Sequence, residues 1–161
     1  MTRFSILILT IGIPGAGKTR WVNEYKKTHP LTYVISTDEL RKEITGNEQC
    51  IDPSQNGMIH DEARKRAKAI IDDPNSDGGL GPEIIIDSTN VELNEWLEYK
   101  KLGASLILAK VFEVPPNIAM EHQLYRERFV PKEILDIKWK QLQKNKQFLS
   151  SIFNMIDYIS K

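Results

Sequence analysis

Hydrophobic residues fall along this chain in two rhythms: short, nearly solid apolar runs, and longer stretches where apolar positions recur every three or four residues. The runs at 5–11, 33–35, 83–86 and 105–112 are dominated by Ile, Leu and Val. Such runs predict strands covered on both faces, because a strand with one wet face alternates with polar residues. Segment 153–159 is a further candidate strand. Between the runs, the 3.6-residue rhythm predicts helices around 18–28, 37–45, 58–72, 91–102, 116–128 and 132–150. Strands and helices alternate throughout. That order predicts an α/β fold, a parallel sheet of four to five strands flanked by helices.

The boundaries carry local signals. Ser36 and Glu39 have the spacing of a capping box opening the second helix, and Gly103 suits the end of the helix carrying Trp96 and Leu97. Leu135, Leu142 and Leu149 form one apolar stripe, with Lys140, Gln143, Lys144 and Gln147 on the other side. This is the pattern of an amphipathic core helix. Segments 46–57 and 72–82, the latter rich in Gly and Pro, are expected as surface excursions.

Composition narrows the class. The 161 residues suffice for one domain with its own core. Twenty-two basic and twenty-two acidic residues cancel, which argues against a strongly cationic nucleic-acid coat protein but leaves room for a local basic groove. The single Cys50 cannot form an intrachain disulfide and fits a reducing compartment. No apolar stretch approaches bilayer length, and the short N-terminal apolar run does not have the form of a signal peptide. A cytoplasmic protein without membrane contact is expected.

Chemistry enters at residues 12–19, Gly-Ile-Pro-Gly-Ala-Gly-Lys-Thr, directly after the first apolar run. The spacing Gly-x-x-x-x-Gly-Lys-Thr lets consecutive backbone N–H groups curl around a polyphosphate, at a helix start whose dipole favours the same anion. Gly12, Pro14, Gly15, Ala16, Gly17, Lys18 and Thr19 are therefore candidate nucleotide contacts. Lys18 reaches the β- and γ-phosphates, and the Thr19 hydroxyl is a Mg²⁺ ligand.

Asp38 and Arg41 stand three residues apart at the start of the second helix, so they share one face. Asp38 could merely complement the helix dipole and Arg41 be a solvated charge. Beside a phosphate loop, the stronger reading is a base for an attacking hydroxyl and a forked contact to an acceptor phosphate. Asp87, closing the third apolar run, has the place of a carboxylate that holds Mg²⁺ through water. Thr89 and Asn90 beside it either join the site or cap the next helix. Arg126, with Arg128 as the alternative, could neutralise a transferring phosphoryl group or pair with Glu121 or Glu127. His29, His60 and His122 are scattered, without metal-ligand spacing. Arg64, Lys65, Arg66 and Lys68 are better read as a solvated helix face than as a nucleic-acid track.

These residues resemble the P-loop polynucleotide 5′-kinases of phages and bacteria. The resemblance rests on the loop 12–19, on Ser36-Thr37-Asp38-Glu39-Leu40-Arg41, and on Asp87-Ser88-Thr89-Asn90. It continues through Val111-Phe112-Glu113-Val114-Pro115 and Val130-Pro131. It implies one P-loop kinase domain over 1–161 with an adenylate-kinase-like core and a helical lid at about 116–130. It further implies ATP and Mg²⁺ as cofactors, and 5′-hydroxyl ends of DNA or RNA as partners, in nucleic-acid repair. Lys18, Asp38 and Arg126 become the catalytic set, with Asp38 the general base. Arg41 grips the phosphate on the 3′ side of the accepting nucleotide, and Val130 packs against the terminal base. His122-Gln123 replaces the Arg-Asn common before the lid arginine, which keeps both Arg126 and Arg128 as candidates. Two other functions remain: a P-loop kinase of a small-molecule or sugar-nucleotide hydroxyl, and a nucleotide-dependent switch or hydrolase. The switch reading lacks support at Asn145-Lys146-Gln147-Phe148, where a guanine-specific motif would need an Asp.

Overall fold

Seven consecutive hydrophobic or small residues before a glycine leave little choice for the first element, and a strand, β1 (Ile6–Ile11), runs straight into the phosphate loop. The computed structural model describes residues 4–46, 53–76, 81–124 and 129–159. After β1 come α1 (Lys18–Thr28), β2 (Tyr33–Ser36), α2 (Thr37–Thr45), α3 (Pro53–Asp72), β3 (Glu83–Asp87) and α4 (Leu93–Lys100). The chain continues through β4 (Leu106–Phe112), α5 (Pro116–Gln123), α6 (Lys132–Asn145), α7 (Leu149–Ile152) and β5 (Met155–Ile159). Among the described residues the strands form one sheet, ordered β2-β3-β1-β4-β5 and parallel at every pairing. This is the expected α/β architecture, with the candidate segment 153–159 contributing the fifth strand from Met155 onward.

The central strand shows why apolar runs were so legible. Leu7 pairs with Ile84 on one side and Ile107 on the other. Leu7, Leu9 and Ile11 face a large cluster that includes Trp96, Tyr99 and Leu142, whereas Ile8 and Ile85 face Val22 of α1. A strand covered on both faces has no polar alternation. A separate apolar cluster of Ile13, Ala16, Phe112, Val114, Ala119 and Leu135 lies under the phosphate loop and α5.

Three expected boundaries shift. The helix expected over 116–128 ends at Gln123, with residues 125–128 outside the described residues. The excursion expected at 46–57 is shorter, because α3 already begins at Pro53, and residues 47–52 lie outside the described residues. Proline needs no partner for an N–H in a first helical turn, and exposed Gly57 does not end a helix whose Ile59, Ala63 and Ala67 are buried. The helix expected over 132–150 instead breaks after Asn145 into a 3₁₀ turn, Lys146–Phe148, before α7. Asn145 Nδ2 donates to the Val91 carbonyl at 2.8 Å, tying that point to the segment after β3. Leu135, Leu142 and Leu149 nonetheless all face the core. The Ser36 hydroxyl accepts from Glu39 N at 3.3 Å, as a capping residue should.

Every β-to-α connection on this sheet lies at the carboxyl ends of the strands, and β1 is where the chain switches direction along the sheet. Ligands of open α/β sheets bind at such a switch point.

Candidate active site

Residues 12–17 bridge β1 and α1, and two glycines there hold backbone that other residues resist. Gly15 has φ 87° and Gly17 φ 94°. A Cβ at Gly15 would lie 2.6 Å from the Ala119 carbonyl oxygen, so α5 can rest on the loop only because Gly15 has no side chain. From α5, His122 Nδ1 also donates to the Gly15 carbonyl at 2.8 Å. Gly12 N donates to the Thr89 carbonyl at 3.0 Å, which ties the loop to the end of β3. The first N–H groups of α1 have no intrahelical acceptor and point into the loop. Lys18 is buried and folds back over it, with Nζ donating to the Gly12 and Ile13 carbonyls at 2.8 Å each. This is a cradle of donors and positive dipole around a volume suited to an anion.

Asp87 ends β3 beside it and accepts from Thr19 Oγ1 at 3.1 Å. Burial pushes the Asp87 carboxyl above its ordinary range, while the Lys18 charge and the Thr19 hydrogen bond pull the other way. Two hard oxygen donors thus sit side by side at the cradle.

α2 brings Asp38 and Arg41 to the same cavity, which holds about 980 Å³. That is the upper end of small-molecule sites, which run from about 300 to 1,000 Å³. Arg41 Nη1 donates to Asp38 Oδ1 at 2.9 Å and Nη2 to Asn56 Oδ1 of α3 at 3.4 Å. Arg41 is buried and Asp38 more open, so the pair presents the carboxylate outward from an anchored guanidinium.

The remaining expected residues divide. Thr89 lines the cavity. Asn90 does too, but its φ of 48° and its Nδ2 bonds to the Thr10 and Ile86 carbonyls, at 2.9 and 3.4 Å, make it a brace between β1 and β3. Val130 reaches the cavity wall while packing in the apolar cluster under the loop. Its N–H donates to Gln123 Oε1 at 2.9 Å and its carbonyl accepts from Gln123 Nε2 at 3.1 Å. Arg126 and Arg128 lie outside the described residues. Of the basic cluster of α3, Arg66 and Lys68 lie on a solvated, paired face as expected, Arg66 bonding Glu43 and Glu62 and Lys68 meeting Asp72. Arg64 departs from it, its largely buried guanidinium pairing with Glu95 of the cavity lining.

Sequence reading missed a wall of the cavity. Asn56, Gly57 and His60 of α3, Glu92 just before α4, Glu95 within it, and Lys138 of α6 all line it. His60 Nδ1 is 3.6 Å from Glu95 Oε2, and Lys138 Nζ 3.6 Å from Glu92 Oε1. Burial lowers the His60 pKa. No short motif links residues spread over three helices. The one available signal was that His60 interrupts the polar face of a helix otherwise rich in charge. Exposed Phe129 also lines the cavity. Among the described residues, no group of three or more His, Cys, Asp or Glu is placed to hold a metal. No described helix is long and apolar enough to cross a membrane.

A family model described as an AAA domain matches residues 7–149. Among solved structures, the chain is similar to one in the Pnkp1/Rnl/Hen1 RNA repair complex, with 22% identity and a TM-score of 0.73. That match covers 91% of this chain and 47% of the other, so this chain spans about half the length of that relative. A gluconokinase from Sinorhizobium meliloti 1021 matches with 12% identity and a TM-score of 0.65, over 98% of this chain and 83% of that one. A shikimate kinase from Acinetobacter baumannii, in complex with shikimate, matches with 11% identity and a TM-score of 0.61, over 99% and 86%. At these identities the likeness is one of fold.

Proposed function

The chain belongs to the AAA domain family and carries the fold of P-loop kinases, and from that premise we propose that it moves the γ-phosphate of ATP to 5′-hydroxyl ends of DNA or RNA. The observation that carries this reading is the Asp38–Arg41 pair, 2.9 Å apart, in the cavity that Lys18, Thr19 and Asp87 share. A phosphoryl donor site becomes a kinase site when a base and an acceptor anchor stand within reach of it.

In the proposed reaction the Asp38 carboxylate takes the proton of the 5′-hydroxyl. The freed oxygen bonds to the γ-phosphorus, and the bond to the β–γ bridging oxygen breaks, releasing the nucleoside diphosphate. The transition state of such a transfer is loose, so Asp38 chiefly orients its nucleophile. Arg41 makes a forked contact to the phosphate 3′ of the accepting nucleoside. Lys18 and the loop N–H groups hold the donor phosphates, and Arg126 or Arg128 is assigned the lid charge by the resemblance alone. Thr19 and Asp87 fit Mg²⁺, which binds through few protein oxygens and keeps waters and substrate phosphates as its other ligands. When bound there, Mg²⁺ neutralises charge on the phosphates. The likeness in fold to a chain of an RNA repair complex supports a nucleic-acid acceptor.

A small-molecule hydroxyl is the second reading, favoured by Glu92 and Glu95 in the cavity lining, since carboxylate oxygens accept hydrogen bonds from the hydroxyls of a polyol. One assay separates the two. Purified protein is incubated with γ-labelled ATP, Mg²⁺ and either 5′-hydroxyl oligonucleotides or a panel of polyols including gluconate and shikimate. Label on strand ends is expected. A folded protein that labels only polyols, or nothing, refutes the nucleic-acid reading.

A further inference from the structure

Between a base at the 5′-oxygen and an arginine at the 3′-phosphate lies one nucleoside. This inference rests on the function proposed above and asks which residues read that nucleoside. Arg41 is bonded on its far side to Asn56 of α3 at 3.4 Å. Asn56, Gly57 and His60 occupy positions i, i+1 and i+4 of that helix and all line the cavity. Behind them Ile59 and Ala63 are buried in the core, which fixes the rotation of α3.

Each member of the stripe has a property suited to reading a ligand. Asn56 offers an amide. Gly57 has no described atom within 4 Å of where a Cβ would stand, so it leaves open space. His60 is held beside Glu95, whose carboxylate receives Arg64 Nη1 at 2.6 Å. The charges of Arg64 and Glu95 therefore offset each other, and burial keeps the imidazole neutral near pH 7. A neutral imidazole has one donor and one acceptor. A base edge or a ribose hydroxyl offers the complementary set.

We propose that the α3 stripe of Asn56, Gly57 and His60 is the specificity wall for the terminal nucleoside of the acceptor, with His60 hydrogen-bonding it and Gly57 making room for it. Arg64 and Glu95 are positioning residues for His60.

The test measures kcat and KM for phosphate transfer to DNA and RNA strands carrying each of the four 5′-terminal bases. Wild type, Gly57→Leu, His60→Ala and His60→Gln are compared, each checked by thermal melting with and without ATP. Gly57→Leu is expected to melt as the wild type does, keep its ATP-dependent shift and raise acceptor KM by about ten-fold or more. His60→Ala is expected to raise acceptor KM by about three- to ten-fold, the worth of one hydrogen bond. That rise should be unequal among terminal bases if the contact is to a base edge, or between RNA and DNA if it is to a 2′-hydroxyl. His60→Gln should recover part of the loss. An active wild type whose variants keep the wild-type acceptor KM overturns the wall alone, as does a loss uniform over all acceptors. A wild type that transfers to no strand overturns the proposed function, and the wall with it.

Discussion

Gly15 and Gly17 make a matched pair that isolates one steric contact. Their φ angles, 87° and 94°, are nearly the same, so an alanine at either position meets the same backbone strain, about 1–2 kcal/mol. Their surroundings differ. At Gly17 no described atom lies within 4 Å of the new Cβ, whereas at Gly15 the Ala119 carbonyl oxygen would be 2.6 Å away, with its carbon at 3.2 Å. That oxygen is backbone of α5 and cannot swing aside, so α5 must shift off the loop. Overpacking of this kind adds about 1–3 kcal/mol. Gly17→Ala should therefore destabilise by about 1–2 kcal/mol and Gly15→Ala by about 2–5 kcal/mol. Urea unfolding without nucleotide measures both, and melting temperatures should differ by about 4–8 °C for a gap near 2 kcal/mol. Equal losses would refute the claim that α5 rests on Gly15.

Other expectations follow from the same geometry. Asp38→Ala should abolish phosphate transfer while leaving the ATP-dependent melting shift within error of wild type; loss of both would count against a base. Gln123→Ala removes two buried hydrogen bonds to Val130 and should cost about 2–4 kcal/mol in urea unfolding, and a cost below about 1 kcal/mol would mean the clasp is dispensable. His60 should make the fold acid-sensitive. Its folded pKa is lowered by burial and by Arg64 and Arg41 against Glu95 and Glu92, so the unfolded chain binds the extra proton first. The stability gained is whole above pH about 6.5 and is lost as pH falls through the lower folded value. His60→Gln should therefore lose less melting temperature than wild type between pH 7.5 and 5.5, and an equal loss would exclude His60 as the sensor. Of Arg126→Ala and Arg128→Ala, one should lower kcat about a thousand-fold and the other change it little, in the labelled-phosphate assay; equal effects would remove the distinction.

What the sequence made legible depended on how its information is laid out. β1 and β3 are buried along almost their whole length, so Ile84, Ile85 and Ile86 announce a strand without any partner being known, whereas β4 alternates buried with half-buried residues. The donor half is local as well: eight consecutive residues set the loop, and Asp87 stands at the end of an obvious strand. The start of α3 was hidden because Gly57 and polar neighbours resemble a loop until Ile59, Ala63 and Ala67 are seen buried behind them. His60 was hidden for a different reason. Its meaning comes from Glu95 and Arg64, and only packing of α4 against α3 brings those groups together. Val130 shows a third kind of limit, since its backbone clasp to Gln123 depends on where α5 ends.

The same division bears on substrate choice. A phosphate loop binds what all its donors share, and the fold seen here also underlies a gluconokinase and a shikimate kinase, whose names point to acceptors unlike a nucleic-acid end. Donor geometry therefore cannot select the acceptor. Selection must come from groups that reach the cavity from outside the loop, and these include residues 87–92, α2, α3, α4, His122 of α5, residues 129–131 and α6. Within that set the charges are arranged in opposed pairs, Arg41 with Asp38, Glu95 with Arg64 and Glu92 with Lys138. A wall of balanced charges neither attracts nor repels a polyanion strongly at range. Recognition is then left to short-range hydrogen bonds and to shape. An acceptor would be gripped at one phosphate and one nucleoside rather than along a strand, and its affinity should fall with salt by a slope near that of a single phosphate contact, about −0.7 for a single strand.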